Sequence, residues 1–193
     1  MTPLPTTRDA LLTAVQAGAA FPMTFFWGHR RPKQGGISAS CLSQWYDAPF
    51  EVAGETYSTA EHFMMVSKAR LFGDEATALA ILQTVDPGAA KALGRRVRGF
   101  EESVWIAHRE VIVFRANWAK FTRHGALRKF LEATQGSILV EASPLDAIWG
   151  IGLSQADPRA QDVGKWPGLN LLGFALTQVR EQFLGNSGAT NDH

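Results

Sequence analysis

From Ser58 onward the chain is punctuated so densely with helix starts and stops that it can hardly build anything but a helical framework. Residues 58–71 support a helix that Gly73 ends, and residues 74–85 support a second. Asp86-Pro87 opens a third: the aspartate suits the cap, and proline at the first helical position gives up an N–H that would have no partner anyway. Residues 101–122 form the longest candidate. Its Val111-Ile112-Val113-Phe114 run would also suit a buried strand, but length and flanks favour helix. Residues 126–133 and 170–184 add two more helices, the latter with Asn170 as its cap.

The strand signals are few. Residues 23–30 read as a short aromatic strand, 138–141 as another, and 49–57 as a small hairpin about Ala53-Gly54-Glu55. Residues 7–17 suit a short helix stopped by Gly18, and the basic, glycine-rich stretch from His29 to Gly36 is a loop. With no repeat or linker, these pieces predict a single compact, helix-rich α+β domain with a small β-sheet. It spans residues 23–184, after an N-terminal extension with a short helix at 1–22 and before a frayed tail at 185–193. A chain of 193 residues is long enough for a sizeable core. Its formal net charge of +1 announces neither nucleic-acid nor membrane binding in bulk. The one cysteine, Cys41, has no internal partner, no secretory signal is legible, and no run approaches a membrane span. A cytoplasmic setting is the expectation.

Chemistry is concentrated in Ser58-Thr59-Ala60-Glu61-His62 through Lys68-Ala69-Arg70. On a helix, Glu61 and Lys68 fall within roughly 20° of each other around the axis and about 10 Å apart along it. An acid and an amine would therefore face one groove, with Met64 and Met65 between them, without neutralising each other. Glu61 has a competing use, because Ser58-x-x-Glu61 is a capping-box pattern in which the glutamate merely reaches back to the cap amide. Lys68 could be a solvated helix lysine, and the Met pair ordinary core.

Wider patterns resemble the YbiA-like, or NADAR, family from about Phe25 to Phe183. The matching pieces are Phe25-Phe26-Trp27, Ser43-Gln44-Trp45-Tyr46, Tyr57-Ser58-Thr59-Ala60-Glu61-His62 with Lys68-Ala69, Leu93-Gly94-Arg95-Arg96-Val97, Trp105 with Arg109, Asp146-Ala147-Ile148-Trp149-Gly150-Ile151-Gly152-Leu153, and Asn170-Leu171-Leu172-Gly173. The resemblance implies hydrolysis of the N-glycosidic bond of a ribosylated base. Two substrate classes go with it: phosphoribosylamino-pyrimidine intermediates of riboflavin synthesis, and ADP-ribose attached to guanine, as a nucleoside or in nucleic acid. It also implies a catalytic lysine at Lys68 for the ADP-ribosyl substrates. The chain departs from the family at Phe63-Met64-Met65, where other members often carry Tyr and Gln, and this bears on base recognition.

Breaking a ribose–nitrogen bond builds positive charge on the anomeric carbon and negative charge on the departing base, so a proton donor and a carboxylate are wanted. Glu61 and Asp146 are the candidate carboxylates. Asp146 precedes a turn whose Gly150 and Gly152 permit close backbone approach to a ligand, although it also suits an N-cap. Lys68 offers a covalent route through a Schiff base if its pKa is lowered. The favoured reading makes Lys68 the nucleophile with Glu61 shuttling protons, and direct attack by water is the alternative. Phe26, Trp27, Trp45, Trp105 and Trp149 are candidate stacking platforms, and Arg30, Arg95 and Arg96 candidate phosphate contacts. The five histidines show no metal-ligand spacing and no dinucleotide fingerprint is present, so no metal or cofactor is expected. The rival to an enzyme is a non-catalytic module that senses ADP-ribose, against which the joint presence of Glu61, Lys68 and Asp146 speaks.

Overall fold

A computed structural model of the chain describes residues 4–188. In chain order the elements are α1 (Arg8–Gln16), β1 (Met23–Phe26), β2 (Phe50–Val52), β3 (Glu55–Tyr57), α2 (Ala60–Leu71), α3 (Glu75–Leu82), α4 (Pro87–Gly94), α5 (Glu102–Arg123), α6 (Gly125–Glu132), β4 (Ile138–Glu141) and α7 (Leu171–Gly188). Short 3₁₀ turns occupy Ala39–Leu42, Pro158–Gln161 and Val163–Lys165. The helix-rich α+β class expected from sequence is what the structure shows. Strand content is divided into two two-stranded sheets, one parallel (β1 with β4) and one antiparallel (β2 with β3). The strand expected over 23–30 stops at Phe26, and the expected tail begins inside α7; residues 189–193 lie outside the described residues.

The described residues divide into two compact units. One runs to Ser43 and resumes at Ala126; the other is Gln44–Gly125. In the first, β1 and β4 pair in register from Met23 opposite Ile138 to Phe26 opposite Glu141. Ile138 and Val140 of β4 bury against Leu11 of α1, Ile151, Trp166 and Phe174 of α7. The Trp166 indole N–H donates to the Ala160 carbonyl at 2.8 Å, so this large ring is buried without an orphaned donor. Asn170 is not the side-chain cap of α7 that sequence predicted. Its φ of 56° is left-handed, and its amide is spent on β4: Oδ1 accepts from the Glu141 N–H and Nδ2 donates to the Leu139 carbonyl, both at 2.9 Å. Gly173 is required beside it, since a Cβ there would lie 2.0 Å from the Leu139 carbonyl oxygen.

In the second unit, β2 and β3 turn at Ala53-Gly54, both at positive φ as a tight two-residue hairpin demands. Helix α2 then packs against α3, α4 and α5. Asp74 caps α3, and its carboxylate also takes the Arg98 guanidinium at 2.7 Å, tying the head of α3 to the connection between α4 and α5. That pairing holds the Asp74 carboxyl well below the usual range. Asp86 caps α4 as expected, with Pro87 at its first position. The ambiguous Val111–Phe114 run is helical within α5, where Ile112 and Val113 recur with Ala116, Lys120 and Phe121 on one buried stripe while Val111 faces out, 54% exposed.

Candidate functional site

The first turn of α2 decides how Glu61 is used. Two hydroxyls compete to cap it, and Thr59, not Ser58, takes the position: its extended backbone (φ −146°, ψ 168°) precedes Ala60, and its Oγ1 accepts from the His62 N–H. His62 Nδ1 closes back on the same hydroxyl at 2.9 Å. The reciprocal cap therefore runs between Thr59 and His62, one residue out of step with Ser58-x-x-Glu61. Glu61 is thus not the residue that closes the cap. It lies in the first helical turn, where the helix dipole favours a carboxylate; its N–H donates to the Gln44 carbonyl at 3.0 Å, and it is only 2% exposed. Burial pushes the His62 imidazole below its ordinary value, opposed by the Thr84 carbonyl and the Asp86 carboxylate.

Two turns along the same helix, Lys68 is half-buried and held from several sides. Its Nζ donates to the Gly94 carbonyl at 2.9 Å, lies 4.2 Å from the centre of the Phe100 ring and 5.6 Å from that of Trp105. Burial, and then the positive charge of Arg95, push the amine below the ordinary lysine range. Helix α5 runs antiparallel to α2: Trp105 near its start meets Lys68, while Asn117 farther along reaches Gln44, which holds the Glu61 amide. Asn117 Nδ2 donates both to the Val113 carbonyl at 2.9 Å and to Gln44 Oε1 at 2.8 Å. The Val113 carbonyl thus orients the Asn117 amide, which in turn orients that of Gln44.

Of the residues singled out in sequence, the second unit holds Glu61, Lys68, Trp45, Arg95, Arg96 and Trp105. Lys68, Arg95 and Trp105 are brought together. Trp45 stands beside α4, its ring 3.6 Å from where a Gly88 Cβ would lie and 5.9 Å from Lys91 Nζ, while Arg96 is exposed. Phe100, the Gly94 carbonyl and the Gln44–Asn117 pair were not legible as site features. Phe100 belongs to no catalytic motif, and its place over the amine is a tertiary contact. A groove of about 420 Å³ runs along another face of α2, lined by Phe63, Ser67 and Leu71 with Val111, Ile112 and Arg115 of α5; Lys68 does not line it.

The first unit holds Phe26, Trp27, Arg30, Asp146, Trp149, Gly150 and Gly152. Phe26 is 2% exposed, a core side chain rather than an open stacking face, whereas Trp27 is 60% exposed and Arg30 is also at the surface. Asp146 Oδ1 accepts from the Ile148 N–H at 2.9 Å and the Trp149 N–H at 2.8 Å, the N-cap use that sequence left open. The glycines after it admit the chain's own atoms. A Cβ on Gly150 would stand 2.7 Å from the Glu141 carbonyl oxygen, and one on Gly152 (φ 72°) 2.8 Å from the Pro167 ring. Carbonyls of Ile148, Trp149 and Gly150 accept from Leu171, Leu172 and Asn170, so the turn seats the start of α7, with Trp149 half-buried on it.

Among the described residues no three His, Cys, Asp or Glu side chains gather to hold a metal, and no helix is long and apolar enough to cross a membrane. Comparison with known proteins gives a consistent result. Residues 25–184 match the model of the NADAR domain. The chain is 39% identical over 163 residues to N-glycosidase R617 of Acanthamoeba polyphaga mimivirus, covering 82% of this chain and 94% of that protein. It is 34% identical over 134 residues to N-glycosidase YbiA of Escherichia coli K12, covering 69% of this chain and 75% of that one. It is also 34% identical over 143 residues to the chloroplastic riboflavin biosynthesis protein PYRR of Zea mays, covering 70% of this chain but 21% of PYRR. The NMR structure of E. coli YbiA superposes with a TM-score of 0.69 at 26% identity, covering 98% of both chains. The family model, the relatives and the superposed structure agree, and the chain is a member of the NADAR family.

Proposed function

We propose that this chain is an N-glycosidase, a hydrolase that cleaves the bond between a ribose carbon and a base nitrogen, with Lys68 as nucleophile and Glu61 as proton carrier. The observation that carries the reading is the state of the Lys68 amine. A lysine attacks only when neutral, and this one is held below its ordinary pKa by burial and by Arg95, with its nitrogen anchored on the Gly94 carbonyl. The N-glycosidase names of R617 and YbiA support the same activity.

In the proposed reaction the Nζ lone pair bonds to the anomeric carbon as the carbon–base bond breaks, and the base leaves with a proton from Glu61. A water then carries a proton from the new ammonium to the ring oxygen as the ring opens, leaving an iminium. Water adds to the iminium carbon and gives a proton to Glu61; collapse of the adduct releases the sugar and restores both side chains. Asp146 is assigned to its turn, where its carboxylate holds two amide N–H groups.

The substrate is a small ribosylated base. ADP-ribosylated guanosine and the phosphoribosylamino-pyrimidines are the two classes, the latter supported by the name of PYRR. ADP-ribosylated nucleic acid is a polymeric form of the first. The lone, buried Cys41 accords with work in a reducing cytoplasm. Side-by-side incubation with both substrate classes, with released base followed by chromatography, tests the activity. Glu61→Gln and Lys68→Ala should each slow release by about 100-fold or more. Full rates in both folded variants would sink the assignment. Tight binding of ADP-ribose without base release from either class would favour the sensor instead.

A further inference from the structure

The connection between α4 and α5 carries a large, part-exposed aromatic side chain, Phe100. Phe100 is 43% exposed. It is nevertheless fixed: its ring meets Phe72 edge-on, centroids 5.3 Å apart at 63°, and the preceding Gly99 turns at φ 68°. The ring so held has the Lys68 Nζ 4.2 Å from its centre. We infer that Phe100 is the positioning residue of the Lys68 amine: with the Gly94 carbonyl it fixes where Nζ points and stabilises positive charge there, as ammonium before reaction and as iminium after it. The inference rests on Lys68 being the nucleophile for its bearing on catalysis, but the hold on the amine exists without it.

The charged surroundings leave this part to the ring. Arg95 is the charged group acting on the amine, and it repels. Asp74 at the head of α3 is engaged by Arg98, Arg109 stands one turn beyond Trp105 on α5, and Glu61 is two turns away on α2 itself. Among the described residues burial and Arg95 are what push the amine down, so the ammonium depends on the Gly94 carbonyl and on two aromatic faces, Phe100 at 4.2 Å and Trp105 farther off at 5.6 Å, and the iminium, bonded to the sugar, depends on the rings more. Phe100 and Arg95, five residues apart on one connection, thus pull the same amine in opposite directions.

The test follows the Lys68 amine by NMR in protein labelled at the lysine ε-carbon, with Lys68→Ala identifying the signal. Phe100→Leu keeps apolar bulk against Phe72 but removes the π face. Its titration midpoint should fall by roughly half a unit to one and a half units, and Phe100→Tyr should restore it. Phe100→Trp, with the stronger face, should raise it and covers the case in which the leucine variant fails to fold. Borohydride trapping with ADP-ribosylated guanosine should move its pH profile in the same direction in each variant. Unchanged midpoints in folded Phe100→Leu and Phe100→Trp would overturn the inference, leaving Phe100 as packing for Phe72. Undiminished base release by Lys68→Ala would instead overturn the nucleophile reading, with the titration still reporting on Phe100.

Discussion

Gly94 joins the packing of the helices to the chemistry of the amine, so replacing it with alanine tests both. A Cβ at this position would stand 2.1 Å from Met65 Sδ, 2.9 Å from its Cγ and 3.2 Å from its Cβ. The sulfur alone could swing away by a rotamer change, but Met65 is buried and a new rotamer needs space inside the unit. The contact with Met65 Cβ cannot be relieved by rotamer change at all, so α2 and α4 must separate by a few tenths of an ångström. Overpacking of this kind costs about 1–3 kcal/mol, and in a chain of this size ~2 kcal/mol lowers Tm by roughly 4–8 °C. Thermal unfolding followed by circular dichroism measures this directly. Met65→Ala removes Cγ and Sδ, so in that background the added methyl should cost markedly less, a coupling of about 1 kcal/mol or more between the two sites. Moving the end of α4 also moves the Gly94 carbonyl away from Lys68 Nζ, so base release by folded Gly94→Ala should fall beyond what its folded fraction explains. A Tm within about a degree of the parent would refute the close approach of α2 and α4, and with it the described anchoring of the amine.

Two further expectations separate architecture from chemistry. Asp146→Asn keeps an oxygen to accept from Ile148 and Trp149, so stability and base release should both be retained, whereas Asp146→Ala should lose about 1–2 kcal/mol as the turn loses its cap; inactivity of a fully stable Asp146→Asn would return the carboxylate to the catalytic pair. On the hairpin, the Arg70 guanidinium, bonded to Glu55 at 2.7 Å, and then the Tyr57 hydroxyl hold the Glu55 carboxyl down to about 2 from 4.5. A carboxyl more acidic in the folded chain stabilises it above pH 4.5, and that contribution is lost as pH falls towards 2. Because Glu55 and Arg70 are each about a third exposed (33% and 35%), screening keeps the effect small. Glu55→Gln should flatten the slope of stability with pH in that interval, and an unaltered slope would show that the pair contributes nothing.

Much of the framework could be read before any coordinates because its signals are local. Asp86-Pro87 announces α4, Ala53-Gly54 announces the hairpin, and the periodic burial of α5 overrides a β-branched centre that a short window would assign to a strand. The misreadings arise where a residue has two competent uses and a distant partner chooses between them. Ser58 and Thr59 can both cap α2, and the imidazole of His62 decides for Thr59. Asn170 is an ordinary cap in sequence, yet the unpaired edge of β4 claims its amide and forces a left-handed backbone. Gly150 and Gly152 do mark close approach, and among the atoms a side chain there would meet are Glu141 and Pro167 of the same chain, which no spacing encodes.

The same distinction explains why Glu61 and Lys68 could be named from sequence while their state could not. Their seven-residue separation is a property of the helix, so shared facing follows once α2 is a helix. On the proposed reading the surroundings of the pair come from other segments: a cap that runs between Thr59 and His62 instead of through Glu61, and a connection that brings a repelling arginine and an aromatic face to the lysine. A lysine shielded from water with no opposing charge loses its proton more easily, but a wholly unsupported one would also lose the cationic intermediate it must form. The aromatic face resolves the conflict, because it favours positive charge without offering a base to quench it. An acidic residue at position 100 would stabilise the ammonium more strongly and thereby hold the amine protonated. An aromatic residue therefore suits a lysine that must be neutral when it attacks and positively charged once it has bonded.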